Sequence, residues 1–353
     1  MTTLDKPGVH RRRRSPLWAR LCLIFGCVLT LVSGIALIGG QALVSRYTSS
    51  IPQISVLGKD QARRDVKGPI NILLVGIDKR RNDEPGSLVR ADTVMWAHIP
   101  AAHDRAYLLS LPRDLDVPIP AHKPSGYQGT TGDKLNAAFA FGAGEKQDLA
   151  SGLQLLMKTV QGFTGVKFDL VGMIDWYGFT GITHELGGVT MCLDKGFKST
   201  QPGFTGYSFP AGCNHYNEHT ALALVRQRYD LPGGDYDRQK LQQQFVMQIL
   251  KQALSKDVVS NPVKLDKIIR SVGASLQLDL GGYDFLDLVF ALRNIKPTDI
   301  ITMQIPHATK KKNGADYEEL VQPLGTELFQ GLIKGQVDDV LIKHPELATK
   351  VQT

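Results

Sequence analysis

Three short stretches of the chain set arginine beside aspartate near expected strand ends: Arg90-Ala-Asp-Thr93, Pro112-Arg113-Asp114, and Arg226-Gln-Arg228 followed by Asp235, Arg238 and Gln242. A guanidinium is a planar fork of donors that grips phosphate oxygens two at a time. Clustered carboxylates hold a divalent ion or accept a proton. Together the two residue types point to a site that handles a pyrophosphate.

Each residue also has a plainer reading. Asp78 closes the run Asn71-Ile-Leu-Leu-Val-Gly-Ile-Asp78. A carboxylate there lines a cleft or merely serves a turn. Arg90 and Asp92 are two apart, so in extended chain they face one way. Asp92 then joins Asp78 on a metal ion while Arg90 reaches a phosphate, or the two form a surface ion pair of little worth. Arg226 and Arg228 are likewise two apart, after the helix-like run Thr220 to Val225. Asp235, Arg238 and Gln242 fall at i, i+3 and i+7, one face near a helix start, where the macrodipole favours anions. A solvated face is the alternative, but it would carry more Lys and Glu. Asn136, in the first turn of a helix, adds an amide that can bond the ligand.

The elements that must position these residues follow from periodicity. Ile70 to Ile77 is a dense β-branched and leucine run, long enough for a buried strand. Thr93 to Ile99 and Ala106 to Leu111 predict a hairpin across the turn at Ala101 to Arg105, which brings the Arg90 and Arg113 ends together. Pro118 to Gly132 reads as a loop. Helices are expected over Lys134 to Phe141, Leu149 to Phe163 and Asp235 to Ser255, the last with a buried stripe of Leu241, Val246, Phe245, Ile249 and Leu250. Asp175 is placed to cap a helix that follows the strand Phe168 to Ile174 and ends at Gly187-Gly188. Val189 to Leu193 is the next strand. Further helices are expected over 262–272 and 283–293, with strands near 275–280 and 300–305. The alternation predicts an α/β fold, a mixed central sheet flanked by helices.

The 353-residue chain has a formal charge of +7, concentrated at the front in Arg11-Arg12-Arg13-Arg14 and Arg20. Leu21 to Ser45 has no charged residue, and a run of about 25 residues suits one membrane crossing. The basic flank predicts a cytoplasmic N-terminus, residues 1–20, with the bulk outside a cell membrane in a single-pass arrangement. A nucleic-acid role for the arginines is not needed. Residues 46–68 read as a polar stalk, 69–335 as the catalytic domain and 336–353 as a loosely attached tail. Of four cysteines, Cys22 and Cys27 fall in the anchor. Cys192 and Cys213 flank a Gly-rich loop, and an oxidising exterior permits a disulfide there. Their surroundings show no Cys-x-x-Cys pattern for zinc. The chain has no Gly-x-Ser-x-Gly elbow, no Walker loop and no His-Glu-x-x-His. A glycosidase would use two carboxylates such as Asp78 and Asp92 and leave the arginines without a role.

The motifs Gly76-Ile-Asp78, Arg90-Ala-Asp-Thr93, Leu111-Pro-Arg-Asp114, Lys134-Leu-Asn-Ala-Ala-Phe139, Leu186-Gly-Gly-Val189 and Arg226-Gln-Arg228…Asp235-Tyr-Asp-Arg238 stand in the order found in LytR–CpsA–Psr proteins, which the chain resembles over about residues 69–255. The resemblance implies a phosphotransferase that moves a glycopolymer from a polyprenyl-pyrophosphate carrier to a peptidoglycan hydroxyl. It implies Mg2+, or another divalent cation such as Mn2+, on Asp78 and Asp92. It implies Arg90, Arg113, Arg226 and Arg228 on the pyrophosphate and Asp235, Arg238 and Gln242 at the end of the site. Asn136, Arg238 and Gln242 are further candidates for the pyrophosphate. Arg113, Arg226, Arg228 and Asp235 are the candidate catalytic residues, and the base toward the acceptor hydroxyl stays open among Asp78, Asp92 and Asp235. The family often has Arg-Gln where this chain has Leu241-Gln242. Leu- and Phe-rich helices at 149–163 and 241–254 are candidate walls for the lipid, or plain core. Rival readings are a non-catalytic lipid-pyrophosphate binder and a pyrophosphate hydrolase. A transcription regulator fits poorly, with only a short cytoplasmic segment available.

Overall fold

The computed structural model describes residues 53–58, 61–79, 89–253, 267 and 276–349. The expected anchor at 21–45, and all of the helix expected over 262–272 except Lys267, lie outside the described residues.

The expected strand runs become a six-stranded mixed sheet. Its strands are β1 (Ile70–Ile77), β2 (Ala91–Ile99), β3 (Ala106–Leu111), β6 (Leu170–Asp175), β11 (Leu276–Asp279) and β12 (Ile300–Gln304), in the order β11-β6-β1-β2-β3-β12. β1 runs parallel to β6 and antiparallel to β2, which pairs as a hairpin with β3; β12 lies parallel to β3. The C-terminal ends of β1, β3, β6 and β12 and the start of β2 therefore share one edge of the sheet. β1 and β2 are buried enough on both faces to explain their near-continuous apolar runs.

One face packs against helices α1 (Leu135–Ala143), α2 (Leu149–Thr164), α7 (Leu324–Lys334) and α8 (Val337–Lys343) around Trp96, Phe139, Leu153 and Phe329. α2 is capped at both ends: Asp148 accepts from the Ser151 N–H, and Gly165 ends the helix at φ 77°. Of the helix at 149–163, offered as a lipid wall or plain core, Leu153, Leu156 and Val160 pack in this core. A second core joins α3 (Trp176–Glu185), α4 (Glu218–Val225) and α5 (Asp235–Ala253) to the hairpin of β7 (Val189–Leu193) and β10 (Gly212–Tyr216). Cys192 and Cys213 face each other across that hairpin and form a disulfide. Between them runs a loop held by the short pair β8 (Phe197–Lys198) and β9 (Ser208–Phe209). The expected helix near 283–293 is α6 (Phe285–Leu292).

Three expectations change. The Pro118–Gly132 loop contains much of a ribbon, β4 (Asp116–Ile119) with β5 (Thr130–Lys134), which Lys312 clasps through Asp116 and the Gly132 carbonyl. Lys312 comes from the hairpin of β13 (His307–Lys312) and β14 (Ala315–Leu320), a partner too distant in sequence to be seen locally. Residues 336–349 are not a loose tail: Val337, Val340 and Leu347 enter the main core and Thr349 N–H donates to Thr302. The described part of the 46–68 segment is no free stalk either, since Val56 is buried in the core and the amides of Val56 and Leu57 donate to Asp279.

Candidate functional site

The shared edge of the sheet gathers the aspartates and arginines. Asp78 follows β1, and its N–H donates to the Arg90 carbonyl at 3.1 Å. One step along, β2 carries an extra residue: Gly76 pairs with Thr93 and Ile77 with Ala91, leaving Asp92 at a bulge. A Cβ on Gly76 would come within 3.0 Å of the Thr93 Cβ, so glycine permits the strands to close there. Bulges re-aim side chains. Here Asp92 accepts a hydrogen bond from the Arg113 guanidinium, while the Arg90 side chain is exposed. The bulge thus separates the two residues that a regular strand would have aligned.

Arg113 follows β3, which is paired to β2 as the hairpin reading requires. Its side chain is only 13% exposed and lies 3.5 Å from Asp114 as well as against Asp92. Burial opposes its charge, but Asp92 and Asp114 outweigh it and hold its pKa above the ordinary arginine value. Burial likewise opposes the Asp114 carboxylate, yet Arg113, Lys134 and Arg228 keep its pKa below the usual range. Lys134 donates to Asp114 at 3.0 Å, and the Arg228 guanidinium lies 3.9 Å from it. Asn136 is buried at the start of α1, where its N–H bonds the Arg113 carbonyl at 2.9 Å.

Arg226 caps α4, and its guanidinium donates to Asp78 at 3.2 Å. Gln227 is wholly buried and bonds Ser199 and Ala223, which leaves the arginines on either side of it free to turn outward. Arg228 is the more open of the pair, at 42% exposed. Asp235 and Arg238 lie in the first turns of α5, 2.6 Å apart. Arg238 is 4% exposed, and burial, eased by Asp235, pushes its pKa down to about 10. It therefore stands behind Asp235 rather than at the open face.

Gln242 is also turned inward, its amide 3.5 Å from the Val225 carbonyl. It belongs to three consecutive buried glutamines that tie α5 to three walls. Gln243 donates to Met303 of β12, and Gln244 accepts from the Cys192 N–H. The single apolar stripe expected for this helix is therefore too simple, because α5 is enclosed on several sides and its glutamines supply the hydrogen bonds that burial demands.

Four further residues complete the cluster. Asp114 and Lys134 sit within the quoted motifs but drew no role from spacing alone. Trp176, directly after the capping residue Asp175, donates its indole N–H to Asp78 at 2.6 Å, and its ring underlies Arg226 at 4.9 Å. Phe204, in the disulfide-closed loop, covers Arg226 at 5.5 Å. The sequence signal for Trp176 was its place after a strand that ends at the same edge as β1. Phe204 left none. Behind Asp235, Tyr236 stacks on His307 at 4.7 Å; His307 pairs with Glu318, whose N–H bonds the Asp114 carbonyl.

The open face thus interleaves Asp78, Asp92, Asp114 and Asp235 with Arg113, Lys134, Arg226 and Arg228. Such an array can exchange its internal ion pairs for a diphosphate and a cation without leaving a buried charge uncompensated.

Comparison with known proteins agrees with this architecture. The LytR_cpsA_psr family matches residues 43–333. The cell wall biosynthesis protein LcpA of Corynebacterium glutamicum is 30% identical over 278 residues, covering 72% of this chain and 53% of LcpA. The polyisoprenyl-teichoic acid–peptidoglycan teichoic acid transferase TagU of Enterococcus faecalis is 28% identical, covering 77% of this chain and 82% of TagU. The chain thus spans about half of LcpA and most of TagU. Among solved structures, protein gbs0355 of Streptococcus agalactiae shares the fold with a TM-score of 0.63 at 23% identity, covering 77% of this chain and 88% of that one. TagT bound to LIIa-WTA shares it with a TM-score of 0.57 at 21% identity, covering 81% of this chain and 100% of that one. The matched span contains every cluster residue from Asp78 to Arg238, and on that ground the chain belongs to the LytR_cpsA_psr family.

Proposed function

We propose that the chain is a transferase that moves a glycopolymer from a polyprenyl-pyrophosphate carrier onto a peptidoglycan hydroxyl. The observation that carries this reading is the convergence of Arg113, Arg226, Arg228 and Lys134 with four aspartates at one sheet edge. Phosphoryl transfer asks a protein mainly to position its reactants and to neutralise charge on the reacting oxygens. Arg113, Arg226 and Arg228 do this for the diphosphate. The acceptor oxygen attacks the phosphorus that bears the glycan, the bond to the bridging oxygen breaks, and polyprenyl phosphate leaves. The hydroxyl proton passes to a carboxylate of the cluster. The product is a phosphodiester. The names of the relatives, a polyisoprenyl-teichoic acid–peptidoglycan teichoic acid transferase and a cell wall biosynthesis protein, support the reading.

Asp78 and Asp92 suit a divalent cation. They stand on adjacent strand ends, while among the described residues no group of three or more His, Cys, Asp or Glu side chains is placed to hold a metal by itself. Mg2+ is commonly held by one or two carboxylates, with water and substrate phosphate completing its shell. When bound, it would add positive charge beside the transferring phosphate. We place the chain in the cell membrane as a single-pass protein with its N-terminus in the cytoplasm, on the strength of the basic segment before the uncharged run 21–45.

The test uses the full chain with a polyprenyl-diphosphate-linked glycan, peptidoglycan fragments and Mg2+. Glycan on the fragments and matching release of polyprenyl phosphate are expected. Phosphorylated glycan freed without acceptor would make the protein a hydrolase, and tight binding with no product would make it a binder.

A further inference from the structure

We propose that Trp176 and Phe204 are positioning residues: they hold the Arg226 guanidinium between two aromatic faces and keep its N–H edge directed at the diphosphate once Asp78 is otherwise engaged. This rests on the diphosphate reading above.

The Arg226 carbon Cζ lies 4.9 Å from the Trp176 ring centre and 5.5 Å from that of Phe204. A cation over a ring face is attracted by the ring without using up an N–H donor, so the Arg226 donors remain available. Asp78 is presently shared. One oxygen accepts the Trp176 indole N–H at 2.6 Å and the other accepts from Arg226 at 3.2 Å. A cation taken up by Asp78 would draw on the carboxylate that now restrains Arg226. A long side chain released from that ion pair would sample many rotamers. Two ring faces limit this, because Phe204 is held by its own loop and Trp176, beyond its bond to Asp78, is also packed on Phe179.

Both rings are themselves fixed. Trp176 meets Phe179 edge-on at 6.0 Å, and Phe179 stacks on Phe245 of α5 at 3.8 Å. Phe204 belongs to the loop between β8 and β9, which is stitched to the Arg226 segment. Ser199 donates to Gln227 at 2.9 Å, Thr200 makes two bonds of 2.7 Å to Asp230, and Gln201 donates to the Arg226 carbonyl at 2.7 Å. The Cys192–Cys213 bond closes the same loop at its base. A ring that merely filled the core would not need to sit over a partly exposed cation on a loop bonded to that cation's own backbone.

The probe is inorganic pyrophosphate, titrated calorimetrically into the full chain with and without Mg2+, alongside KM and kcat for transfer. Phe204→Leu and Trp176→Leu should each weaken pyrophosphate binding by about two- to thirtyfold, most in Mg2+, and raise KM more than they lower kcat. Phe204→Tyr and Trp176→Phe, which keep a ring face, should restore most of the loss. Phe204 is half-buried against the second core, so Phe204→Leu lowers the melting temperature somewhat while Phe204→Tyr keeps it near wild type. Leucine variants that bind pyrophosphate like wild type, while Arg226→Ala does not, would overturn the clamp and leave the diphosphate reading standing. The same holds if Phe204→Tyr, melting normally, fails to recover binding. A wild-type chain that takes up no pyrophosphate would remove the diphosphate reading and this proposal with it.

Discussion

Gln243 donates from α5 to the Met303 carbonyl at 2.7 Å and to the Ser110 hydroxyl at 2.9 Å, which fastens the helix that carries Asp235 and Arg238 to strands β12 and β3. The side chain is wholly buried. Gln243→Ala removes the donor and leaves both acceptors dry, a loss of about 1–3 kcal/mol. Urea melts should show that drop, with transfer falling further than stability predicts because α5 loses its anchor beside the site.

Arg113 and Arg228 should separate activity from stability. Arg228 is half open and loosely paired, so Arg228→Ala should leave the melt within about 0.5 kcal/mol. Transfer should nonetheless fall at least about a hundredfold. Arg113→Ala should lose as much activity and some stability, since Asp92 is left with less compensation. Lysine at either place should rescue only in part, because the fork is gone. Normal transfer by an alanine variant would remove that arginine from the mechanism.

The Asp235–Arg238 pair should respond asymmetrically. Removing the acid strands a buried cation, so Asp235→Ala should destabilise the fold by about 3–5 kcal/mol. Arg238→Met exchanges a buried charge for an apolar chain of similar length and should be near neutral in a melt. Equal losses from both changes would contradict the burial argument.

His98 predicts a pH dependence far from the cluster. Burial pushes its pKa down to about 4, against a smaller opposing pull from Asp169. Its Nδ1 lies 2.8 Å from the Asn71 amide oxygen. The unfolded chain binds the proton near pH 6.5 and the folded chain only near 4, so stability is full above 6.5 and declines as the pH falls between these values. The window is worth about 3 kcal/mol. Melts of wild type and His98→Gln from pH 7 to 4 should show the slope shrink in the variant.

Periodicity disclosed what depends on neighbours in the chain. β1, the β2–β3 hairpin, α2 and the Asp175 cap all follow from local apolar spacing and from one side chain serving nearby amides. It did not disclose what depends on distant partners. The β4–β5 ribbon is completed by Lys312, and α8 is held by a core assembled from the rest of the chain. At the site, residue type identified the arginines and aspartates, but depth was invisible. Arg226 and Arg238 look alike in sequence, yet one faces the opening and the other lies behind Asp235. The Asp92 bulge was equally hidden, because one extra residue leaves no mark on composition.

The N-terminal segment is fastened at the other end of the sheet, where Arg64 pairs with Asp169 and that same carboxylate accepts the Asn71 N–H. From Asn71 to Asp78 the strand climbs about 23 Å. β1 is therefore a spacer as well as a core element: its length sets how far the aspartate–arginine cluster stands from the Arg64–Asp169 pair, and two residues added to or taken from the central strands would change that distance by about 7 Å while keeping every side chain on its own face.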